Sequence, residues 1–479
     1  MMKRLLAATL IALPLFAQTA PPAPAAPRET KVPQPVEKTL DNGLRVIVVS
    51  KHDIPLVAAR LVVKAGGAAD PNDRGGLAQL TSTVLTKGTK TKTAEQIARG
   101  VEALGATLQS DAGWDSSDID LSVMSSNLPK AMEFVADVAR NATFAKDEFD
   151  RERAQALDAL QVNLHQPRVV GGAVAARLIF GDTPYGHTLD GTPQTLEAIK
   201  REDLVKFHAT NYRPENSVLV LAGDVKAEDA FKLAQSLFGT WKRGSASAAA
   251  AKKEEAKALK GRVVVVDMPD AGQASVSVGR RGIRRTDPAY LRALVANSVL
   301  GGGYSARLNQ EIRIKRGLSY GAGSSFSPRA DVGPFVARTE TKNESAAEVA
   351  GIIVNEMGRL STADVPETEL VPRKAVLIGE FGQSLETTGG IVDQISSLAL
   401  HDLPLASINA YVAGVQAVTA EDVRKFATAN AANENNVIIV GDASKFLEPL
   451  QKQFSNVEVI KFDELDLNSA TLRVRKAKQ

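Results

Sequence analysis

The sequence predicts an α+β protein built from two homologous halves, each a mostly antiparallel sheet with helices covering one face. The first observation behind this is an internal repeat. Arg45-Val46-Ile47-Val48-Val49 recurs as Arg262-Val263-Val264-Val265-Val266, and Glu202-Asp203-Leu204-Val205-Lys206-Phe207 recurs as Glu421-Asp422-Val423-Arg424-Lys425-Phe426. The apolar run closed by Gly223-Asp224 recurs as the run closed by Gly441-Asp442. The offsets are 217 (45 to 262), 219 (202 to 421) and 218 (223 to 441), in unchanged order. The second observation is periodicity. Ile119, Leu121 and Val123 alternate with Asp118, Asp120 and Ser122, the period-two pattern of a strand with one buried face. The third is spacing: strands and helical stretches do not alternate as regular βαβ units, so the helices are expected in a layer on the sheet.

Each segment follows in order. Lys3-Arg4 and the apolar Leu5 to Ala17 read as a secretory signal over residues 1–20, with Ala17, Ala20 and Ala25 all open as cleavage residues and an uncleaved anchor as the alternative. Residues 21–35, rich in Pro and Ala, read as an extended tether. The first half spans 36–243. Leu56 to Val63 is an apolar strand closed by Gly66-Gly67. Helical stretches are expected over 93–104, 128–140, one long run from about 147 to 180, 197–207 and 227–238. Residues 244–260, rich in Ala, Lys and Glu without an apolar stripe, read as a solvated linker. The second half spans 261–458 and repeats the order. Residues 459–479 end basic and read as a tail.

Composition narrows the chemistry. A chain of 479 residues is expected to hold two to four domains. Its formal net charge of +3 gives no argument for nucleic acid or a membrane surface. The absence of cysteine excludes disulfides, thiol catalysis and thiolate metal sites. Five histidines (His52, His165, His187, His208, His401) lie scattered without ligand spacing. No serine stands in a Gly-x-Ser-x-Gly context that would make it a nucleophile.

The run Gly75-Gly76-Leu77-Ala78-Gln79-Leu80-Thr81-Ser82-Thr83-Val84-Leu85-Thr86-Lys87-Gly88-Thr89 has the frame of a helix that carries His-x-x-Glu-His in inverted-motif zinc peptidases. The chemical positions read Gln79, Ser82 and Thr83, none of which replaces an imidazole ligand or a carboxylate base. Further signatures agree: Leu40-Asp41-Asn42-Gly43-Leu44-Arg45-Val46, Pro184-Tyr185-Gly186, Asn211-Tyr212-Arg213-Pro214-Glu215-Asn216, Asn297-Ser298-Val299-Leu300-Gly301-Gly302-Gly303 and Glu311-Ile312-Arg313 through Gly317-Leu318-Ser319-Tyr320-Gly321. From about residue 36 to 454 the chain resembles the insulinase/pitrilysin, processing-peptidase-like family of zinc metallopeptidases.

The resemblance implies a clamshell half for each chain and a third zinc ligand on a later helix. The matching segment, Phe149 to Ala159, keeps Glu152 but has Ala159 at the ligand position, with Asp158 beside it. No metal is therefore expected in this chain. The resemblance also implies that Arg313 and Tyr320, seven residues apart, hold a substrate carbonyl and stabilise its oxyanion, since a guanidinium and a phenol are strong donors. Gly301, Gly302 and Gly303 fall in the motif on the substrate side. In two-chain members one subunit carries zinc and the other carries the Arg/Tyr pair. This chain resembles the second kind: a periplasmic or otherwise exported subunit, inactive alone, that meets a peptide or unfolded polypeptide together with a homologous partner bearing His-x-x-Glu-His and the zinc. No membrane span remains after signal cleavage on this reading. The alternatives are a structural subunit like the core proteins of respiratory complexes, or a chaperone-like homodimer that binds peptides at its sheet edges.

Overall fold

The computed structural model describes residues 32–244, 261–431 and 434–473. The expected signal segment, most of the Pro/Ala-rich segment and nearly all of the linker lie outside them. The first half contributes strands β1 (Val36–Thr39), β2 (Arg45–Ser50), β3 (Leu56–Val63), β4 (Thr107–Ala112), β5 (Ser117–Met124) and β6 (Ser217–Gly223). Its helices are α1 (Leu77–Leu85), α2 (Ala94–Ala103), α3 (Leu128–Asn141), α4 (Lys146–Asn163), α5 (Pro167–Phe180), α6 (Pro193–Ala198), α7 (Arg201–Asn211) and α8 (Ala227–Phe238). The second half contributes β7 (Val263–Asp267), β8 (Ala274–Arg281), β9 (Ala322–Phe326), β10 (Pro334–Thr341), β11 (Asn436–Gly441) and β12 (Val457–Lys461). Its helices are α9 (Tyr290–Leu300), α10 (Arg307–Asn309), α11 (Ala346–Thr362), α12 (Glu367–Ser384), α13 (Thr388–Leu400), α14 (Tyr411–Ala417), α15 (Ala420–Ala431) and α16 (Leu447–Gln453).

The two sheets have the orders β1-β2-β6-β3-β5-β4 and β12-β7-β11-β8-β10-β9. Five strands correspond one to one under the repeat. The sixth does not: β1 comes from the chain before β2 and pairs with it antiparallel, whereas β12 comes from the chain's end and pairs parallel with β7. Each half's own helices cover one face, as the alternation in β5 requires. Its Ile119, Leu121 and Val123 enter the first core with Leu61, Leu80 and Leu85.

The central strands have a second covered face, and the cover is exchanged between halves. In β2 and β6, Val46, Val48, Leu219 and Leu221 face the first half's own helices. Ile47, Val49, Val218 and Val220 face Ile391, Val392 and Ile395 of α13, from the second half. In return, α5 places Val170, Val174 and Leu178 on Val264, Val266, Ile438 and Val440 of the second sheet. Strands covered on both faces read as continuous apolar runs, which is why the repeat is most visible there.

Two local expectations are corrected. The long helix expected from about 147 to 180 is broken between Asn163 and Pro167. Pro167 has no N–H to continue the ladder and disfavours helical geometry in the residue before it. That break lets α5 leave its own half. The stretch from 459, expected as a tail, is ordered through 473: β12 runs to Lys461, Leu472 is fully buried in the α5 cluster, and Arg177 Nε donates to the Leu467 carbonyl at 2.7 Å.

A side-chain latch also joins the halves. The Arg329 guanidinium lies 4.2 Å from the Trp114 ring centre, 4.6 Å from Tyr185 and 5.4 Å from Phe180. Beside it, Asp115 accepts from the Tyr185 hydroxyl at 2.5 Å and from the Ala330 amide at 2.9 Å. Among the described residues no helix is long and apolar enough to cross a membrane.

Candidate functional site

Helix α1 is preceded by Gly76, whose φ of +95° suits a residue without Cβ. Its N-terminus is capped from a distance: the buried Asp70 carboxylate accepts from the Gly76 amide at 2.9 Å and the Ala78 amide at 2.8 Å. Burial nonetheless pushes Asp70 up to about 7, from an ordinary 3.8. A folded-state pKa above the unfolded one means that the folded chain binds this proton more tightly. The stabilisation is complete below about pH 4 and is lost as pH rises through 7. Asp70→Asn should therefore gain stability relative to the parent between pH 5 and pH 8, read from urea midpoints. A relative loss over that interval would show that the two amide bonds outweigh burial.

The chemical positions of α1 are occupied by structural bonds. Gln79 clasps the edge strand: its Nε2 donates to Asp111 Oδ1 at 2.8 Å and its Oε1 accepts from the Ala112 amide at 3.1 Å. Thr83 turns its hydroxyl back onto the Gln79 carbonyl at 3.0 Å. Ser82 is fully buried, 3.5 Å from the Tyr212 hydroxyl. On α4, the buried Glu152 pairs with Lys87 at 3.2 Å and Arg151 at 3.1 Å, while Asp158 and Ala159 are exposed. Two hydroxyls, an engaged amide and a methyl do not fit zinc, which takes imidazole, thiolate or carboxylate donors. Among the described residues no group of three or more His, Asp or Glu side chains is placed to hold a metal ion. Protein washed with chelator and resupplied with zinc should carry none stoichiometrically by elemental analysis; one tightly held zinc per chain would overturn this.

The downstream pair sits in the other half, at the surface of the second core. Arg313 lies on a π-turn, Gln310–Ile314, closed by the Lys315 amide on the Gln310 carbonyl at 2.9 Å. Such wide turns within helices recur at functional sites. Gly317, with φ +64°, then reverses the chain, and its amide donates to the Arg313 carbonyl at 3.0 Å. The following loop is pinned on both sides of Tyr320. Thr341 Oγ1 donates to the Leu318 carbonyl at 2.6 Å, and Thr339 Oγ1 to the Gly321 carbonyl at 2.7 Å. Tyr320 is left 89% exposed on a fastened backbone. Arg313 stacks at 5.0 Å on Tyr304, itself 65% exposed. Among the described residues no hydrogen bond or ring contact joins Arg313 to Tyr320.

The glycines before this turn are explained first by packing. The Gly301 carbonyl accepts from the Ser324 amide at 3.0 Å, and a Cβ there would stand 2.3 Å from that nitrogen. A Cβ on Gly302 would stand 2.8 Å from the Ser298 Cα. Gly303 alone of the three is exposed. Beneath the loop, buried Arg373 donates to Ser305 Oγ. No sequence pattern marked that arginine, because Arg373 beside Lys374 in the helical stretch 367–384 reads as a surface residue.

Two family models match successive stretches: insulinase (peptidase family M16) over residues 45–191, which contain α1, and peptidase M16 inactive domain over residues 198–377, which contain Arg313 and Tyr320. An uncharacterized zinc protease of Rickettsia bellii is 30% identical over 324 residues, 67% of this chain and 77% of the relative. The chain belongs to the insulinase family of peptidases, family M16. A crystal structure of a peptidase M16 inactive domain from Pseudomonas fluorescens superimposes with a TM-score of 0.80 at 27% identity, covering 85% of this chain and 98% of that one. A protease from Helicobacter pylori shares the fold, with a TM-score of 0.82 at 20% identity over 86% of this chain and all of that one. The M16 likeness thus covers both halves, including the half in which the zinc frame of α1 carries Gln79, Ser82 and Thr83.

Proposed function

We propose that this M16 chain is the non-zinc subunit of a two-chain metallopeptidase in an exported compartment. Arg313 and Tyr320 meet the peptide substrate, and a homologous partner with His-x-x-Glu-His brings the zinc. The observation that carries the reading is the contrast between the two sites: α1 has its polar groups locked in structural bonds, whereas Tyr320 projects into solvent from a loop tied down by Thr339 and Thr341. A guanidinium and a phenol held this way donate to a substrate carbonyl oxygen, and each donor strengthens as negative charge grows there. Placement on a fixed backbone means that little reorganisation is needed at that moment. The export reading comes from Lys3-Arg4 and the apolar run after it.

A second reading, a non-catalytic peptide-binding or structural member of the family, is favoured by one observation: Arg313 rests on Tyr304, away from Tyr320. Mixing separates the two. On size-exclusion chromatography, this chain and a zinc-motif homologue from the same cell should form a new species with peptidase activity that neither has alone. A mixture that stays as two species with no gain of activity would favour the second reading.

A further inference from the structure

Asn309 is the last residue of α10, one helical turn before Arg313, and its side chain is buried. Its Nδ2 donates to the Tyr304 carbonyl at 2.6 Å, and its Oδ1 accepts from the Ala322 amide at 3.2 Å. The first partner carries the ring on which Arg313 rests. The second opens β9, two residues after Tyr320. One buried amide thus spans the two loops that carry the pair.

The residue type suits the task. Tyr304 offers an acceptor and Ala322 a donor, so the bridge needs a donor and an acceptor on neighbouring atoms of one short side chain, which an amide provides. A hydroxyl would reach one partner only. A carboxylate would set its second oxygen against the Tyr304 carbonyl. The two loops are also fastened separately: Arg373 donates to Ser305 Oγ beside Tyr304, and Thr339 Oγ1 donates to the Gly321 carbonyl beside Tyr320. Those bonds hold each loop to its own support, on α12 and on β10. Asn309 ties one loop to the other.

We propose that Asn309 is a positioning residue for the Arg/Tyr pair: it holds Tyr304, the seat of Arg313, at a fixed separation from Tyr320. Two donors that act on one substrate oxygen have to converge on it, and a misplacement of roughly 1 Å can cost about 100-fold in rate. The catalytic consequence rests on the role proposed above for Arg313 and Tyr320, whereas the placement itself does not.

A matched residue supplies the control. Asn343, also buried and in the second half, makes the same two kinds of bond: its Nδ2 donates to the Ala271 carbonyl at 2.9 Å and its Oδ1 accepts from the Asp442 amide at 3.0 Å. Asn309→Ala and Asn343→Ala should lower the urea midpoint of the full chain by similar amounts. In the paired enzyme, Asn309→Ala should lower kcat at least about tenfold with a smaller change in KM, and Asn343→Ala should keep the parent kcat. If Asn309→Ala fails to fold, Asn309→Asp keeps the size and the acceptor for Ala322 but loses the donor to Tyr304, and it should lower kcat in the same way. A crystal structure of the Asn309 variant alone should show Tyr304 displaced relative to Ala322; parent positions for both would overturn the placement. With Arg313→Ala in the same assay, a fall in its kcat and none in the Asn309 variant would overturn the positioning role and leave the pair's role standing. Parent kcat in Arg313→Ala as well would sink the role of the pair, and with it any catalytic part for Asn309.

Discussion

Arg313→Ala and Tyr320→Phe are each expected to lower kcat of the paired enzyme by about 100- to 1,000-fold, the usual consequence of removing one donor to an oxyanion. The loss should fall on kcat more than KM, because a group that acts on developing charge contributes little to ground-state binding. Folding and pairing should be unaffected: Tyr320 is 89% exposed, and Arg313 makes its one ring contact with the exposed Tyr304. Lys315 is the control. It is paired with Glu311 at 2.5 Å, and with Arg316 it holds that carboxyl below the ordinary range. Exposed pairs of this kind contribute at most about 1 kcal/mol, so Lys315→Ala should leave kcat near the parent value. Steady-state kinetics on a short quenched peptide decide the matter. Parent-like kcat in both variants would make the pair structural and put the binding reading first.

The other large effect is on stability. Ile395 of α13 is fully buried against the first sheet, although it belongs to the second half. Ile395→Ala should cost about 2–5 kcal/mol, the range for deleting a large aliphatic side chain from a close-packed site. The exchange makes a sharper expectation. If α13 and α5 bind the halves together, unfolding should follow a single transition in both parent and variant. Both tryptophans lie in the first half, Trp241 in its core and Trp114 against Arg329 at the seam, so their fluorescence reports that half and its seam, whereas far-ultraviolet circular dichroism reports both halves. Coincident urea transitions by the two probes are expected. A variant in which fluorescence moves and much of the dichroism does not would show that the halves unfold separately.

Much of the fold was legible because the repeat falls on strands buried on both faces, where composition is most constrained. Leu56–Val63 was read to the residue, since its run is apolar apart from Arg60 and Gly66 and Gly67 close it. The partner of each apolar face was not legible. Nothing in Ile391, Val392 and Ile395 distinguishes a helix that covers its own sheet from one that covers its neighbour's, because burial is non-directional. The ordered end was missed for a related reason: Leu472 is one apolar residue in a polar stretch and gives no period. At the site, the residue types of α1 were readable from the motif frame. Their present bonds were not: the clasp of Gln79 on β4 joins residues 32 and 33 positions apart.

The exchanged helices also set a clock for synthesis. The first sheet is complete in the chain by Gly223, yet its second face stays bare until Leu400 has emerged. At about 5–20 residues per second, those 177 residues (223 to 400) take roughly 9 to 35 s. For that interval Ile47, Val49, Val218 and Val220 lack the cover that Ile391, Val392 and Ile395 give them in the folded chain. A holding chaperone, or transport of the chain before it folds, would have to bridge that gap. The cell must therefore handle this protein as one late-closing unit, although its sequence reads as two.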